Sequence, residues 1–281
     1  MLDKRHLQHL ITGEQLQHFD EQGYLILEDV LPQALVKELE VPVDQIHQEY
    51  LDEKGPTARH SNFFYRDFLG RDPLFVDLLD WYKTFPKVWG ILGWNIYSYH
   101  SHLIVTPPGS PAEVDDVGLL RWHQDSGRLT KDMKIHPPPR MAFKIVYWLS
   151  DCSEPGRGNF YIVPGSHLRD TINKPTDGSL PEGAMPVCCK PGDAVFFDGR
   201  LWHCRNSNES DITRKGLFIG YAFRWMRAMD HITIPPEIFD RCDPIRQQLL
   251  GYAARPGGRF SGQDKDSPLK VWLEEHGVFI E

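Results

Sequence analysis

Along the chain the spacing of apolar residues changes character once, near Gly93. Before that point it is helical. Thr12 and Gln15 form a capping-box pair, Leu16 and Phe19 share a helix face, and Gly23 stands where a helix should stop. Tyr24 to Val30 then predicts a short strand, and two longer helical runs follow, Pro32 to Leu51 and Pro73 to Leu92. From Asn95 onward the apolar segments are short and bounded by Gly, Pro, Asn and Asp, as strands are. They run over Ile96 to Val105, Met141 to Leu149, Asn159 to Val163, Ala194 to Asp198 and Gly216 to Trp225. No helix-length periodic stretch separates them, so a parallel βαβ sheet is disfavoured and an antiparallel sandwich or barrel is expected. A helix closes the chain: Ser267 and Pro268 open it, Leu269, Trp272 and Leu273 give it an apolar face, and Gly277 ends it. The predicted fold is mainly β with flanking helices, in one domain over residues 1–281. Its parts are a helical flank over about 10–92, a β core over about 95–226 and a C-terminal helical extension over about 227–281.

Composition narrows the partners. A chain of 281 residues with 41% hydrophobic and 25% charged positions can bury a substantial core without disulfide or metal staples. Its formal charge of −8 at pH 7 offers no general attraction to nucleic acid or to an anionic membrane. A small-molecule substrate is the expected partner, with no nucleic acid and no membrane. The residues from Met1 to His6 lack the apolar run of a signal peptide, and no window reaches the ~18 uninterrupted apolar residues of a membrane helix. A cytoplasmic location is expected. The five cysteines have no paired C-x-x-C spacing and read as reduced thiols. Nothing in the pattern specifies an oligomeric state.

Chemistry concentrates in the segment from Arg121 to Gly127, Arg-Trp-His-Gln-Asp-Ser-Gly. On an extended backbone His123 and Asp125 project from the same face, which lets one ion meet both. His203, at or just after the end of the Ala194 to Phe197 run, is the candidate third ligand. Two neutral imidazoles and one carboxylate leave the opposite face of a divalent ion open, as in non-haem Fe(II) oxygenases. Arg214 lies at the entrance to the next strand. Across an antiparallel pair its planar guanidinium can face the cavity of His203, where it suits a carboxylate. Two other readings stand beside this one: a zinc hydrolase, which uses a similar donor set and an open water position, and a non-catalytic small-molecule-binding β-barrel.

The Pro107-Pro-Gly-Ser110 turn before the His123-x-Asp125 pair and the Val163-Pro-Gly-Ser-His167 turn after it, together with His203 and Arg214, resemble the phytanoyl-CoA dioxygenase family. Leu10 to Val30 and Asp243 to Gly251 are similar to bacterial members, so the resemblance covers nearly the whole chain. It implies a distorted double-stranded β-helix, a cupin-like jelly-roll, that uses Fe(II), 2-oxoglutarate as co-substrate and O2. It further implies His123, Asp125 and His203 as catalytic iron ligands and Arg214 as the partner of the distal carboxylate of 2-oxoglutarate. Gln124, Thr106 and Lys144 are candidates for additional co-substrate contacts. The implied reaction is oxidation of an unactivated C–H bond of a small metabolite, commonly hydroxylation, with release of succinate and CO2. Asp125 occupies the position where related halogenases carry a small residue, which implies oxygenation. The chain departs from the family at Thr106, where many members place Lys, and at Arg205, where a small hydroxyl residue is common. Candidate substrate contacts are His102, Arg128, Tyr147 and Arg224. The loops Ser61 to Arg71, Thr106 to Val117, Arg128 to Arg140 and Arg169 to Gly183 are expected to frame the site. His167, inside its turn, is expected to be structural.

Overall fold

Every strand expected after Asn95 forms in the computed structural model, which describes residues 2–55, 58 and 60–278. The end of the expected C-terminal extension, residues 279–281, lies outside the described residues. In chain order the strands are β1 (Tyr24–Leu27), β2 (Phe63–Arg66), β3 (Ile96–Thr106), β4 (Ala142–Trp148), β5 (Phe160–Ile162), β6 (Met185–Pro186), β7 (Ala194–Asp198), β8 (His203–Arg205) and β9 (Arg214–Phe223). They make a six-stranded sheet, β1-β7-β4-β9-β3-β2, and a three-stranded sheet, β6-β5-β8. β7 pairs antiparallel with β1 and β4, and β5 pairs antiparallel with β6 and β8.

Contacts divide the chain into two compact units. One comprises Gln17–Tyr65 and Leu103–Phe218 and contains β1, β4 to β8 and the first half of β9. Here the apolar segments explain themselves. In β4 the alternating side chains Lys144, Val146 and Trp148 take one face and Phe143, Ile145 and Tyr147 the other. Val146 and Trp148 join Phe160 and Ile162 of β5, Val195 and Phe197 of β7 and Phe218 of β9 in a dry core. The opposite face is covered in part by Phe19 of α1 (Gly13–Gln22), whose ring meets Phe143 edge-on at 5.8 Å. The glycine that ends α1 is required: Gly23 has φ +79°, and a Cβ there would stand 2.5 Å from Nδ1 of His167. His167 in turn meets the Asp20 carbonyl through Nε2 at 2.9 Å, so the Pro-Gly-Ser-His turn is tied to the helix end, the structural role expected of it.

The other unit comprises Met1–Leu16, Arg66–His102 and Ile219–Glu281. After α2 (Gln33–Lys54) of the first unit, its helices include α3 (Pro73–Asp77), α4 (Phe85–Leu92), α6 (Pro236–Phe239), α7 (Pro244–Leu249) and α8 (Pro268–Glu275). The single helix expected from Pro73 to Leu92 is two: α3 ends at Asp77, and α4 starts at Phe85 with Pro86 in its first turn, where the missing N–H leaves no helical bond unmade. Arg246 of α7 bonds Asp77 at 2.6 Å and the buried carboxylate of Asp80 at 2.9 Å, fastening α7 beside α3. Other boundaries differ from expectation: β9 starts and ends two residues earlier than the expected Gly216 to Trp225, and β2 lies in the stretch expected as the loop Ser61 to Arg71. The first strand ends at Leu27, since Asp29 takes φ 51° and bonds the Asp193 side chain. The stretch expected as a loop after Arg128 begins within a short helix, α5 (Gly127–Met133). Among the described residues no helix is long and apolar enough to cross a membrane.

Candidate active site

The site is built on the turn that joins β7 to β8. Asp198, at the end of β7, is fully buried and accepts hydrogen bonds from Nε and Nη2 of Arg200 and from Nε of Arg140. Its backbone carbonyl accepts from Leu201 N–H, so a charge-assisted network sets the reversal that delivers His203. His203 pairs with Ile162 of β5 on one side. On the other it forms an isolated antiparallel bridge with His123, each N–H donating to the other's carbonyl at 2.9 and 3.0 Å. Backbone pairing therefore sets the two imidazoles side by side, with ring centres 4.2 Å apart. Nδ1 of His123 lies 3.0 Å from the Arg121 carbonyl and Nδ1 of His203 2.8 Å from that of Leu201. Each ring is held by one nitrogen, which leaves Nε2 as the lone-pair donor.

Asp125 does not share one extended strand with His123; it sits in the turn before α5, anchored by Ser126 N–H on the Gly199 carbonyl at 2.8 Å. The convergence survives this difference. One donor atom from each of His123, Asp125 and His203 lies within 4.8 Å of the others, and Asp125 Oδ1 stands 3.9 Å from His203 Nε2. The other carboxylate oxygen, Oδ2, is 2.9 Å from Nζ of Lys144. Burial alone would raise the Asp125 pKa, but Lys144 and the two imidazoles outweigh it and hold the carboxyl below its usual range. Burial, reinforced by His123, pushes His203 down to about 3. The cluster is thus one ionised carboxylate with one oxygen occupied, beside a neutral buried imidazole and a second imidazole. That donor set fits a divalent transition metal and leaves part of its coordination sphere for other ligands.

Arg214 opens β9 and is 1% exposed. Its Cζ lies 4.6 Å over the Trp148 ring, and Nη1 donates to the Thr106 hydroxyl at 3.3 Å. Thr106 donates onward to Asn62 Oδ1 at 2.7 Å. Room for the Arg214 stem comes from Gly158: a Cβ there would lie 3.2 Å from Cδ of Arg214 and 3.3 Å from Cγ2 of Thr106. Among the described residues no carboxylate pairs with this guanidinium, and its Nε has no hydrogen-bond partner. Burial lowers its pKa to about 10, so it stays charged at neutral pH. A buried cation without a counter-ion costs several kcal/mol, a penalty that a bound carboxylate relieves. Lys144 and Trp148 share one face of β4, which runs from the acid of the triad at one end to the base of Arg214 at the other.

The structure therefore brings together His123, Asp125, His203 and Lys144, and pairs Arg214 with Thr106. Gln124 is spent elsewhere: its amide donates to the carbonyls of Arg200 and Arg169. Lys144 is engaged by Asp125, as a partner of the carboxylate instead of a contact waiting for co-substrate. Tyr147 is fully buried on the face of β4 opposite Lys144 and Trp148, because period two turns it away. Arg128 is exposed and pairs with Asp132 along α5. His102 and Arg224 belong to the other unit. There Nδ1 of His102 lies 2.9 Å from Nε2 of His100, which meets Asp230, and Arg224 donates to the carbonyls of Asp266 and Tyr252. Trp148, Asn62 and Gly158 were not singled out as site residues, although Asn62 lies in the Ser61 to Arg71 loop expected to frame the site. Trp148 carried a signal in its even spacing from Lys144, and Gly158 carried none.

An antiparallel two-sheet core bearing a His-Asp-His donor set is the equipment of an oxidoreductase that works on dioxygen, a dioxygenase on a double-stranded β-helix. The phytanoyl-CoA dioxygenase (PhyH) family model matches residues 19–216, more than half of the chain, and the chain belongs to that family. Family membership carries with it the iron(II) and 2-oxoglutarate dependence that the resemblance implied, and it does not favour the zinc-hydrolase or binding-protein readings. Among curated relatives, dioxygenase cdmD of Talaromyces verruculosus is 24% identical over 262 residues, covering 84% of this chain and 82% of that one. Among solved structures, HygX from Streptomyces hygroscopicus with nickel and 2-oxoglutarate bound superposes with a TM-score of 0.62 at 18% identity, covering 79% of this chain and 90% of that one. SnoK, a non-heme alpha ketoglutarate dependent carbocyclase from nogalamycin biosynthesis, superposes with a TM-score of 0.54 at 20% identity, covering 75% and 84%. These two likenesses bear on the fold.

Proposed function

We propose that the protein hydroxylates an unactivated C–H bond of a small organic molecule, with His123, Asp125 and His203 holding iron(II) and Arg214 with Thr106 holding the distal carboxylate of 2-oxoglutarate. The observation that carries this reading is the buried Arg214 guanidinium, which no carboxylate among the described residues pairs, in the same unit as the converged triad. A zinc hydrolase would have no use for it. When bound, iron with 2-oxoglutarate and O2 supplies the oxidising power, yielding succinate and CO2. The chain supplies placement. Carbonyls 121 and 201 fix the imidazole rings, and Lys144 takes Oδ2 of Asp125, leaving Oδ1 for the metal. Trp148 and Gly158 confine the arginine, and the apolar core around Phe160, Phe197 and Phe218 excludes water beneath the site. All 281 residues are proposed to form one catalytic domain, a reading supported by a family match that runs through both units. The five free cysteines, four of them buried, suit a reducing cytoplasm.

The test is anaerobic. Adding Fe(II) and then 2-oxoglutarate to the apoprotein should produce a weak visible metal-to-ligand charge-transfer band, and air should then release succinate. A protein that gives neither band nor succinate, yet hydrolyses esters or amides once zinc is added, would overturn the proposal. Lys144 has a separate signature. Lys144→Met should weaken metal binding by about tenfold, the usual scale for a partner that orients a metal ligand, and Lys144→Arg should restore part of it. Titration with Co(II) followed by its visible absorption measures both, and unchanged affinity in the Met variant would assign Lys144 a structural role only.

A further inference from the structure

His123 lines a cleft of about 450 Å³, within the size range of small-molecule sites. Two tryptophans, Trp122 and Trp202, each adjacent in sequence to a histidine of the triad, give it an apolar wall, Trp202 packing on the cluster that holds the buried Trp122. Three lysines give it charge: Lys131, Lys134 and Lys174. Lys174 is fixed, with Nζ 2.8 Å from the Trp122 carbonyl and 4.7 Å from the centre of the Trp202 ring. Lys131 and Lys134 stand one turn apart at the end of α5, the helix that begins two residues after Asp125. The acid of that helix, Asp132, pairs with Arg128 on another side, and Lys131 and Lys134 meet no acid among the described residues. Asp170 is the one carboxylate in the cleft lining, and it is paired with His136 at 2.7 Å. Three lysines against one occupied acid make this lining positive on a chain whose net charge is −8. Random placement on so acidic a surface favours the opposite sign.

From this juxtaposition we infer that the substrate is an organic anion, a carboxylate or phosphate ester, carried on a flat ring-bearing body. The rings lie along the apolar wall that Trp122 and Trp202 form together, and the anionic group meets Lys131 and Lys134, which places the neighbouring carbon atoms beside His123. The inference rests on the oxygenase reading, since it takes the cleft beside the triad as the way in to the metal. Stacking on an indole and attraction to two lysines are each modest, but they act on different parts of one molecule and so select for both features together.

A matched series of probes tests it: 2-naphthoate, 2-naphthyl phosphate, 2-naphthylmethanol, 2-naphthylmethylamine and octanoate. Each is titrated calorimetrically into protein loaded with Ni(II) and saturating 2-oxoglutarate, so that Arg214 is already engaged. Both naphthyl anions should bind, the alcohol and the amine about tenfold or more weakly, and anion affinity should fall as salt rises. Octanoate should also bind more weakly, because it lacks the ring. Lys131→Glu with Lys134→Glu should weaken the anions by about tenfold and leave the alcohol unchanged, while the corresponding double Arg variant should keep wild-type affinity. The order of naphthoate and naphthyl phosphate identifies the anionic group. Equal binding across the charge series, or a double Glu variant that binds naphthoate as the wild type does, would overturn the inference. Octanoate matching naphthoate would remove the ring-bearing body from it. Failure of the oxygenase reading looks different: the anaerobic iron and 2-oxoglutarate band is then missing whatever the naphthyl series does.

Discussion

Replacing Arg214 with methionine should raise the 2-oxoglutarate concentration needed for half-maximal turnover by about two orders of magnitude and should not destabilise the fold. Losing one partner of a buried charge pair costs about 2–5 kcal/mol, and each 1.4 kcal/mol is tenfold, so about 10²-fold lies within that interval. The stability half of the expectation has the opposite sign from most core substitutions. Without its ligand the guanidinium carries a desolvation cost that no carboxylate among the described residues offsets, with Nε unpartnered and only the Thr106 hydroxyl, at 3.3 Å, and the Cys152 thiol as polar neighbours. Methionine keeps an unbranched stem over Trp148, where the cation now lies 4.6 Å from the ring, and removes the charge. Succinate release against 2-oxoglutarate concentration reads the first effect and urea unfolding of the apoprotein reads the second. Arg214→Lys should fall between the two proteins, since an ammonium keeps the charge and loses the planar fork. A methionine variant with an unchanged 2-oxoglutarate requirement, or one that unfolds at markedly lower urea, would assign the arginine to structure.

What could be read from the chain in advance follows the range of the forces involved. The strands of the β core were legible because their apolar runs are local and bounded by turn residues, and β4 and β7 match the expected segments within a residue at each end. Short pieces were not: β6 and β8 are two and three residues long, and their existence depends on pairing with β5, which no local pattern records. A run whose hydrophobicity looked continuous is broken between Asp77 and Phe85. At the site, identity was legible and environment was not. His123, Asp125, His203 and Arg214 carry chemistry in their side chains and stood in motifs with recognisable spacing. Lys144 looked like any cation until the fold set it 2.9 Å from Asp125. Gln124, next to the ligands in sequence, turns its amide to the carbonyls of Arg169 and Arg200, partners far away in the chain that no local pattern records. Tyr147 is displaced from the cleft by the same alternation that puts Trp148 beneath Arg214.

His123→Ala provides the sharpest contrast between holding a metal and holding the fold. The wild-type protein should gain about 2.7 kcal/mol of stability at a Co(II) concentration one hundred times its Kd, since the ion binds the folded chain alone. At about 2–4 °C per kcal/mol for a chain near this size, that is a rise in Tm of roughly 5–10 °C. The alanine variant should show almost none of this rise and should lose turnover to background. Its Tm without metal should stay within a few degrees of the wild type, because His123 is only partly buried and its bridge to His203 is made by backbone atoms that alanine retains. His203→Ala cannot separate the two roles so cleanly, for its ring is buried against Phe160 and Phe197 at 5.1 and 5.3 Å and its loss opens a core cavity. Thermal scans of both variants with and without Co(II) therefore decompose the site. Two folded variants that both respond to metal like the wild type would move the ion away from this triad, whereas a His123→Ala protein that folds but ignores the metal would leave imidazole ligation as the role of its ring.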